Sequence, residues 1–207
     1  MQAQKKDYIW NSIGSFLQSA ISPILLIVIT RLNGVGDSGL FSFAMSLSVV
    51  FWAISLWGGR TYQVSDVKKE FSSGDYIVVR FISSLIVAIF SISFCILSGY
   101  DLIKTELIMV LVSFKVLESI ADSMYGVLQI HNKLYIAGIS LTMKSVFGFM
   151  LFTLVDILTK NIVYGALSIF LVNIIVIIFY DIPQMKHVET VSLAKKNIVQ
   201  AGRIMKK

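Results

Sequence analysis

The sequence contains few of the residues that carry metal and redox chemistry. It has one cysteine, two histidines and two prolines in 207 residues. Cys95 has no partner within the chain and lies in an apolar run, so we expect it to be a packing residue. His131 and His187 lie far apart in predicted loops, without metal-ligand spacing. Since known catalytic motifs are missing as well, we expect no metal, no cofactor and no enzymatic activity.

Charge is also scarce, and this decides the class of protein. Only 14% of the residues are charged, whereas 56% are hydrophobic. A water-soluble domain needs more polar surface than this composition supplies. The net charge is +6, but the basic residues are spread over short segments between apolar runs instead of gathering on one face. We therefore predict an integral membrane protein with no nucleic-acid partner.

Six apolar runs are long enough to cross a hydrocarbon core of about 30 Å. They predict an all-α, polytopic membrane protein in which residues 1–182 form a six-helix transmembrane lobe. The connections between the runs are short, and the longest, residues 58–76, is polar with charges of both signs. The predicted helices span residues 9–29, 39–57, 77–97, 107–130, 134–157 and 162–180.

The basic residues predict the orientation, because cytoplasmic loops carry an excess of lysine and arginine. With alternating helices, only Arg31, Lys104 and Lys160 fall on the outer side, so both termini are predicted to be cytoplasmic. Lys5 and Lys6 precede the first apolar run as in a signal peptide. That run has no small-residue cleavage site, so we interpret it as a retained helix.

Residues 183–207 are predicted to form a basic amphipathic segment at the cytoplasmic surface of the membrane. Lysines and Arg203 lie opposite an apolar face, which favours binding to anionic lipid. The sequence ends at Lys207 without a capping signal, so we expect it to be part of a longer protein or a truncated gene product. The apolar face comprises Val191, Ala194, Ile198, Ala201 and Met205.

The fourth predicted helix carries an unusual stripe of ionisable residues. Lys115, Glu118 and Asp122 share about 80° of arc with Gly126 and Gln129. Each charge near the bilayer centre costs about 2.5–3.5 kcal/mol on insertion scales. The stripe is therefore predicted to face protein or water.

Lys144, on the fifth predicted helix, lies at a depth between those of Asp122 and Glu118. An ion pair across this helical hairpin is therefore expected, and it has two interpretations. The charges neutralise one another to permit insertion, or Lys115 or Lys144 lines a cavity for an anionic headgroup while Glu118 or Asp122 couples to a cation.

The first predicted helix carries a second polar stripe, with Asn11, Ser15, Gln18 and Ser22 at spacings of four, three and four. One interpretation is hydrogen bonding between helices by small polar residues. The other is a cavity wall that binds sugars, with Asn11 and Gln18 in the substrate path and Pro23 permitting a bend.

Three stretches, in consistent order, resemble a known family. Residues 29–34 and 39–44 read ITRLNG and GLFSFA, and residues 58–66 read GGRTYQVSD. The third stretch comprises Glu118, Asp122, Gly126 and Gln129, followed by the basic turn at Lys133. All three are similar to polysaccharide-repeat-unit flippases (Wzx-type) of the multidrug, oligosaccharidyl-lipid and polysaccharide exporter superfamily. The second stretch resembles a cytoplasmic loop of these flippases, which makes Arg60, Gln63 and Asp66 candidate functional residues.

The resemblance implies a transporter in the bacterial plasma membrane, built from two six-helix lobes around a central cavity. Its implied substrate is an undecaprenyl-diphosphate-linked oligosaccharide for capsule, O-antigen or other surface polysaccharide, including lipopolysaccharide. The chain corresponds to the N-terminal lobe, so it would need a C-terminal lobe or a homodimer partner. Two other interpretations remain at this stage. One is a non-transporting membrane interaction module or truncated remnant, and the other is an intramembrane enzyme of the same pathway.

Overall fold

The computed structural model describes residues 2–57, 59–66, 68–191 and 195–205, and every regular element within these ranges is helical. Gly58, Ala194 and Lys207, which enter the sequence-based interpretation, lie outside these ranges. The elements are α1 (Gln2–Leu32), α2 (Val35–Leu56), α3 (Gly59–Ser65), α4 (Ser73–Leu97), α5 (Leu102–Ile130), α6 (Leu134–Thr159), α7 (Ile162–Val176), a π-helical turn (Ile177–Asp181), α8 (Ile182–Val188) and α9 (Lys195–Ile204).

Five helical stretches are long and apolar enough to cross a membrane, so the helical and membrane classes are confirmed. They are α1, α2 with α3, α4, α6, and the stretch from α7 through α8. Helix α5 has 29 residues and is also long enough to span, but it contains five charged residues and is not among the five. The sixth span and the orientation of the termini stay predictions.

Each predicted apolar run corresponds to a helix, but most of the helices begin earlier than predicted. Helix α4 begins four residues before the run because Ser72 and Asp75 form a reciprocal N-cap. The Ser72 backbone N–H donates to Asp75 Oδ2 at 2.7 Å, and the Asp75 N–H donates to Ser72 Oγ at 3.3 Å. The predicted loop at 58–76 also contains α3, which hydropathy alone did not indicate.

Helices α1, α2, α5, α7 and α6 form a ring in which each contacts the next, and α4 packs outside the ring against α2 and α5. The α1–α6 contact is the most extensive. It is close because glycines meet there: a Cβ added at Gly138 would lie 2.3 Å from the Trp10 backbone, and one at Gly14 would lie 2.4 Å from the Gly138 carbonyl oxygen. Such pairs of small residues are typical of membrane helix contacts.

Hydrogen bonds at both ends establish that α1 and α6 run parallel. At their amino ends, the Tyr135 N–H donates to Asp7 Oδ1 at 2.8 Å. At their carboxyl ends, Asn33 Nδ2 donates to Asp156 Oδ1 at 2.7 Å. This relation agrees with the alternating topology that was predicted for the first and fifth runs.

Two clusters of buried apolar residues stabilise the bundle. The first includes Phe41 and Phe152, whose rings meet edge to face with centroids 5.7 Å apart. Cys95 belongs to this cluster and is buried, as its apolar context predicted. The second cluster lies toward the other end of α5 and α6 and includes Met124 and Ile136.

The carboxyl-terminal segment is helical, but its helices begin at points that the sequence did not indicate. The chain continues through Pro183 as helix, because the π-helical turn joins α7 to α8 without a break. Helix α9 packs against α4, where Asn197 Nδ2 donates to Asp75 Oδ1 at 2.7 Å. The division of the chain at residue 183 and the binding of this segment to a membrane surface stay predictions.

Candidate functional site

Two adjoining cavities lie within the five-helix ring, with volumes of about 250 Å³ and 240 Å³. They share five lining residues, so they form one continuous region, which is called the polar region because charged and amide side chains line it among apolar ones. Residues from all five ring helices line the first cavity. The shared lining residues are Gln18, Trp52, Glu118, Leu141 and Lys144.

The polar stripe of α1 forms one wall of this region. Asn11 and Ser15 line the second cavity, Ser22 lines the first, and Gln18 lines both. Spacings of three and four residues bring these side chains onto one face of the helix. Helix α1 continues through Pro23, so the wall is an unbroken helical surface.

Lys115 and Glu118 form the part of the α5 wall that faces α1. Lys115 Nζ lies 2.7 Å from Glu118 Oε2, and Gln18 Nε2 donates to Glu118 Oε1 at 2.9 Å. The Lys115 ammonium also lies 5.4 Å from the centroid of the Trp52 ring. The Glu118 carboxylate thus forms an ion pair with a lysine of its own helix and accepts a hydrogen bond from an amide on α1.

Asp122 lies between two arginines at the end of the second cavity. Its Oδ1 atom lies 3.0 Å from Arg60 Nη1, and its Oδ2 atom lies 3.1 Å from Arg80 Nη2. Arg60 also donates through Nη2 to Gln129 Oε1 at 2.8 Å, and Arg80 donates to the carbonyl oxygens of Ser55 at 3.0 Å and of Leu56. This network joins the end of α2 to α3, α4 and α5.

The prediction that Lys144 forms an ion pair with Glu118 or Asp122 is wrong. Lys144 Nζ instead donates to Asp181 Oδ2 at 2.6 Å and to the Tyr125 hydroxyl at 2.8 Å. The position of Lys144 in the sequence predicted how deep it lies in the membrane, but not which neighbouring helix its side chain faces. Helix α6 packs mainly against α1 and α7, so the nearest carboxylate belongs to the π-helical turn after α7.

The other two residues of the family-like loop lie apart from the two cavities. Gln63 is buried against Gly126, where an added Cβ would lie 2.2 Å from the Gln63 amide oxygen. Asp66 accepts hydrogen bonds from the backbone N–H groups of Glu70 and Phe71, at 3.0 and 3.1 Å, and from the Tyr76 hydroxyl at 3.1 Å. Asp66 therefore ties the segment after α3 to the start of α4, whereas Gln63 occupies the space beside Gly126.

Sequence reasoning missed several residues of the site. Asp181 lies one residue beyond the last predicted helix and was not considered, although it lies eight residues after the cavity residue Asn173. Arg80 was counted only as a cytoplasmic charge, yet it is buried. Within the described ranges, no group of three or more histidine, cysteine or acidic side chains is arranged to hold a metal ion.

Seven of the nine candidate residues thus lie around one polar region: Asn11, Gln18, Arg60, Lys115, Glu118, Asp122 and Lys144. Three of them are cationic and two are acidic. Their side chains present charged and amide groups inside a bundle whose outer surface is largely apolar. Such an arrangement suits a ligand that carries both negative charge and hydroxyl groups.

Comparison with known proteins gives a partial match. No protein-family model matches the chain, and no solved structure matches it. The chain is 26% identical over 158 residues to the capsular polysaccharide biosynthesis protein CapF of Staphylococcus aureus. The aligned region covers 76% of this chain and 39% of CapF, so the chain spans about two fifths of the length of that relative. The protein is thus a helical membrane protein that is similar to part of a capsular polysaccharide biosynthesis protein.

Proposed function

We propose that the chain is one lobe of a flippase that moves undecaprenyl-diphosphate-linked oligosaccharide repeat units across the bacterial plasma membrane. The observation that carries the proposal is the polar cavity region inside a bundle of membrane-length helices. A diphosphate and its sugars do not cross a hydrocarbon core unaided. They need cationic and hydrogen-bonding groups along a path that excludes lipid.

The similarity to CapF supports a role in polysaccharide biosynthesis. Among the steps of such a pathway, transport suits this chain best, because its charged residues lie within the bundle. In the proposed mechanism, Lys115, Lys144 and Arg60 attract the diphosphate, while the amides of Asn11 and Gln18 bind sugar hydroxyl groups. Each of the three cations contacts a carboxylate in the unliganded chain, so the substrate would compete with that carboxylate.

Glu118 would then serve as a coupling residue, since release of Lys115 leaves its carboxylate free to bind another cation. Asp122 would do so only if both Arg60 and Arg80 separate from it. A cavity large enough for this substrate requires a further wall, which we propose comes from a second lobe or from a second copy of the chain. Both termini would lie in the cytoplasm. In this proposal the protein is a transporter instead of an enzyme, and its other partner is membrane lipid.

The test uses the Lys115→Gln variant of the intact protein, with Lys5→Gln as the matched control. Lys5 is an exposed lysine near the start of α1, outside the two cavities. Loss of one charged hydrogen bond, worth about 1.5–3 kcal/mol, is expected to slow export about 10- to 100-fold. Surface polysaccharide is measured in cells that express equal amounts of each variant.

Normal export by Lys115→Gln would exclude a substrate role for this residue. If Lys144→Gln and Arg60→Gln also export normally at equal expression, the ion pairs serve insertion or stability alone. In that case the chain is better explained as a membrane interaction module. Crosslinking in native membranes distinguishes a second copy from a second lobe as the source of the other wall.

A further inference from the structure

Two buried polar atoms beside the polar region have no hydrogen-bond partner. One is the indole Nε1 of Trp52, and the other is the amide oxygen Oδ1 of Asn173. Trp52 lies on α2 and lines both cavities, whereas Asn173 lies on α7 and lines the first cavity. Among the described residues that line the polar region, only these two carry a buried side-chain nitrogen or oxygen atom without a partner.

The two atoms have opposite hydrogen-bonding roles. The Asn173 side chain is 1% exposed, and its Nδ2 donates to the backbone carbonyl oxygen of Ile169 at 3.1 Å. Only the amide nitrogen can donate to a carbonyl, so this bond identifies Oδ1 as the free end, which is an acceptor. The indole N–H of Trp52 is a donor only. A buried polar atom without a partner is costly, so a ligand that supplies both partners gains binding energy.

The charged groups of the first cavity are already paired. Lys115 Nζ lies 2.7 Å from Glu118 Oε2, and Lys144 Nζ lies 2.6 Å from Asp181 Oδ2. Each pair is formally neutral. The groups that remain for the uncharged part of a ligand are therefore one N–H donor and one C=O acceptor.

The donor and the acceptor approach the cavity from separate sides. Helices α2 and α7 are not neighbours in the ring, because α5 lies between them. A hydroxyl group presents its donor and its acceptor on one oxygen, so it suits two protein atoms that converge on one point. A trans secondary amide presents its N–H and its C=O in opposite directions from a planar group. The amide is therefore the better bridge between Trp52 and Asn173.

Apolar side chains of the same cavity suit a methyl group beside that amide. They come from four of the ring helices and are buried, so a methyl group placed among them is removed from water. An acetamido group consists of a secondary amide and one methyl group, which matches both parts of the lining. The apolar side chains are Leu25, Met45, Phe114 and Ile169.

We infer that the first cavity binds the acetamido group of an N-acetylated amino sugar. The Trp52 indole N–H donates to the carbonyl oxygen of the acetamido group, and the amide N–H of the sugar donates to Asn173 Oδ1. The inference rests on the proposed function, because it assumes that the sugars of the substrate enter the polar region. It makes Trp52 and Asn173 residues that select among sugars.

The first test measures sugar binding by saturation-transfer NMR with the intact protein in detergent, without lipid-linked substrate. The probes are N-acetylglucosamine and glucose, which differ only at carbon 2, and empty micelles give the background. The acetyl methyl protons are expected to receive the strongest saturation, and N-acetylglucosamine is expected to bind at least about tenfold more tightly than glucose. Equal affinities, or no binding of N-acetylglucosamine, would overturn the inference.

The second test removes each protein group separately. Trp52→Phe keeps an aromatic ring without the N–H, and Asn173→Leu removes the acceptor at similar size. Each is expected to weaken binding of N-acetylglucosamine about tenfold and to leave glucose binding unchanged. Thr153→Val is the matched control, because it removes a buried hydroxyl oxygen that also has no partner but lines neither cavity.

Unchanged binding of N-acetylglucosamine by Trp52→Phe and Asn173→Leu would contradict the assigned contacts. If Asn173→Leu does not fold, Trp52→Phe decides alone. N-acetylglycinamide carries the same acetamido group without a sugar ring and is expected to bind more weakly than the sugar. Equal or tighter binding would assign the cavity to amides in general and overturn the role in sugar selection.

These measurements involve no transport, so their outcome is separate from that of the export assay. Loss of the preference for N-acetylglucosamine would refute the acetamido site and leave the proposed flippase function standing. Normal export by the cation variants, together with intact binding of N-acetylglucosamine, would refute the flippase function and leave the sugar site standing.

Discussion

The buried ion pair between Lys144 and Asp181 provides the sharpest prediction about stability. The side chains are 5% and 1% exposed, and their charged atoms lie 2.6 Å apart. With an effective dielectric constant of about 20, the attraction at this distance is about 6 kcal/mol. Desolvation of both groups offsets much of it. Lys144→Met removes the only cation that contacts Asp181, whose other oxygen has no partner in the described residues.

We therefore expect Lys144→Met to reduce the free energy of unfolding by about 3–5 kcal/mol, the usual cost of leaving one buried charge without its partner. Adding Asp181→Leu removes the remaining charge, so the double variant should regain most of this loss. The free energy of unfolding is measured by titrating SDS into mixed micelles and following helix content by circular dichroism.

Lys160→Met is the control, because Lys160 is exposed at the end of the same helix. Its substitution is expected to change the free energy of unfolding by less than about 0.5 kcal/mol. Two outcomes would refute the reasoning. One is a loss below about 1 kcal/mol in Lys144→Met, and the other is a double variant whose loss equals the sum of the two single losses.

Two further predictions concern the packing of the bundle. Gly138→Ala inserts a methyl group against the backbone of α1, so it is expected to reduce the free energy of unfolding by about 1–3 kcal/mol in the same titration; an unchanged midpoint contradicts the close α1–α6 contact. Asp122→Asn leaves two arginines without their carboxylate, so it is expected to lower the melting temperature in detergent far more than Glu106→Gln, an exposed acid on the same helix. Equal shifts in melting temperature would mean that the hydrogen bonds and ion pairs of Asp122 contribute nothing to stability.

The helix periodicity of polar residues predicted which side chains share one face of a helix. Asn11 and Gln18 on α1, and Lys115 and Glu118 on α5, share faces because residues three or four apart lie on one side of a helix. A polar face within an apolar helix must avoid lipid, so its inward direction follows from sequence alone. The assignment of a substrate role to these residues stays a prediction.

The pairing of the charges could not be predicted in the same way. Hydropathy and depth give the height of a residue along the bundle, but the choice of partner depends on which helices are neighbours. Asp181 became a partner of Lys144 because α7 lies next to α6 and continues as helix beyond the apolar run. Helix ends were also difficult to predict, since polar residues such as Ser72 extend helices past the hydrophobic core through capping.

The charges around the cavities do not cancel evenly. The pairs of Lys115 with Glu118 and of Lys144 with Asp181 are each neutral, but Asp122 contacts two guanidinium groups. One end of the polar region therefore carries a formal surplus of one positive charge. In physiological salt its field extends over about 8 Å, far enough to attract a multiply charged anion before any direct contact forms.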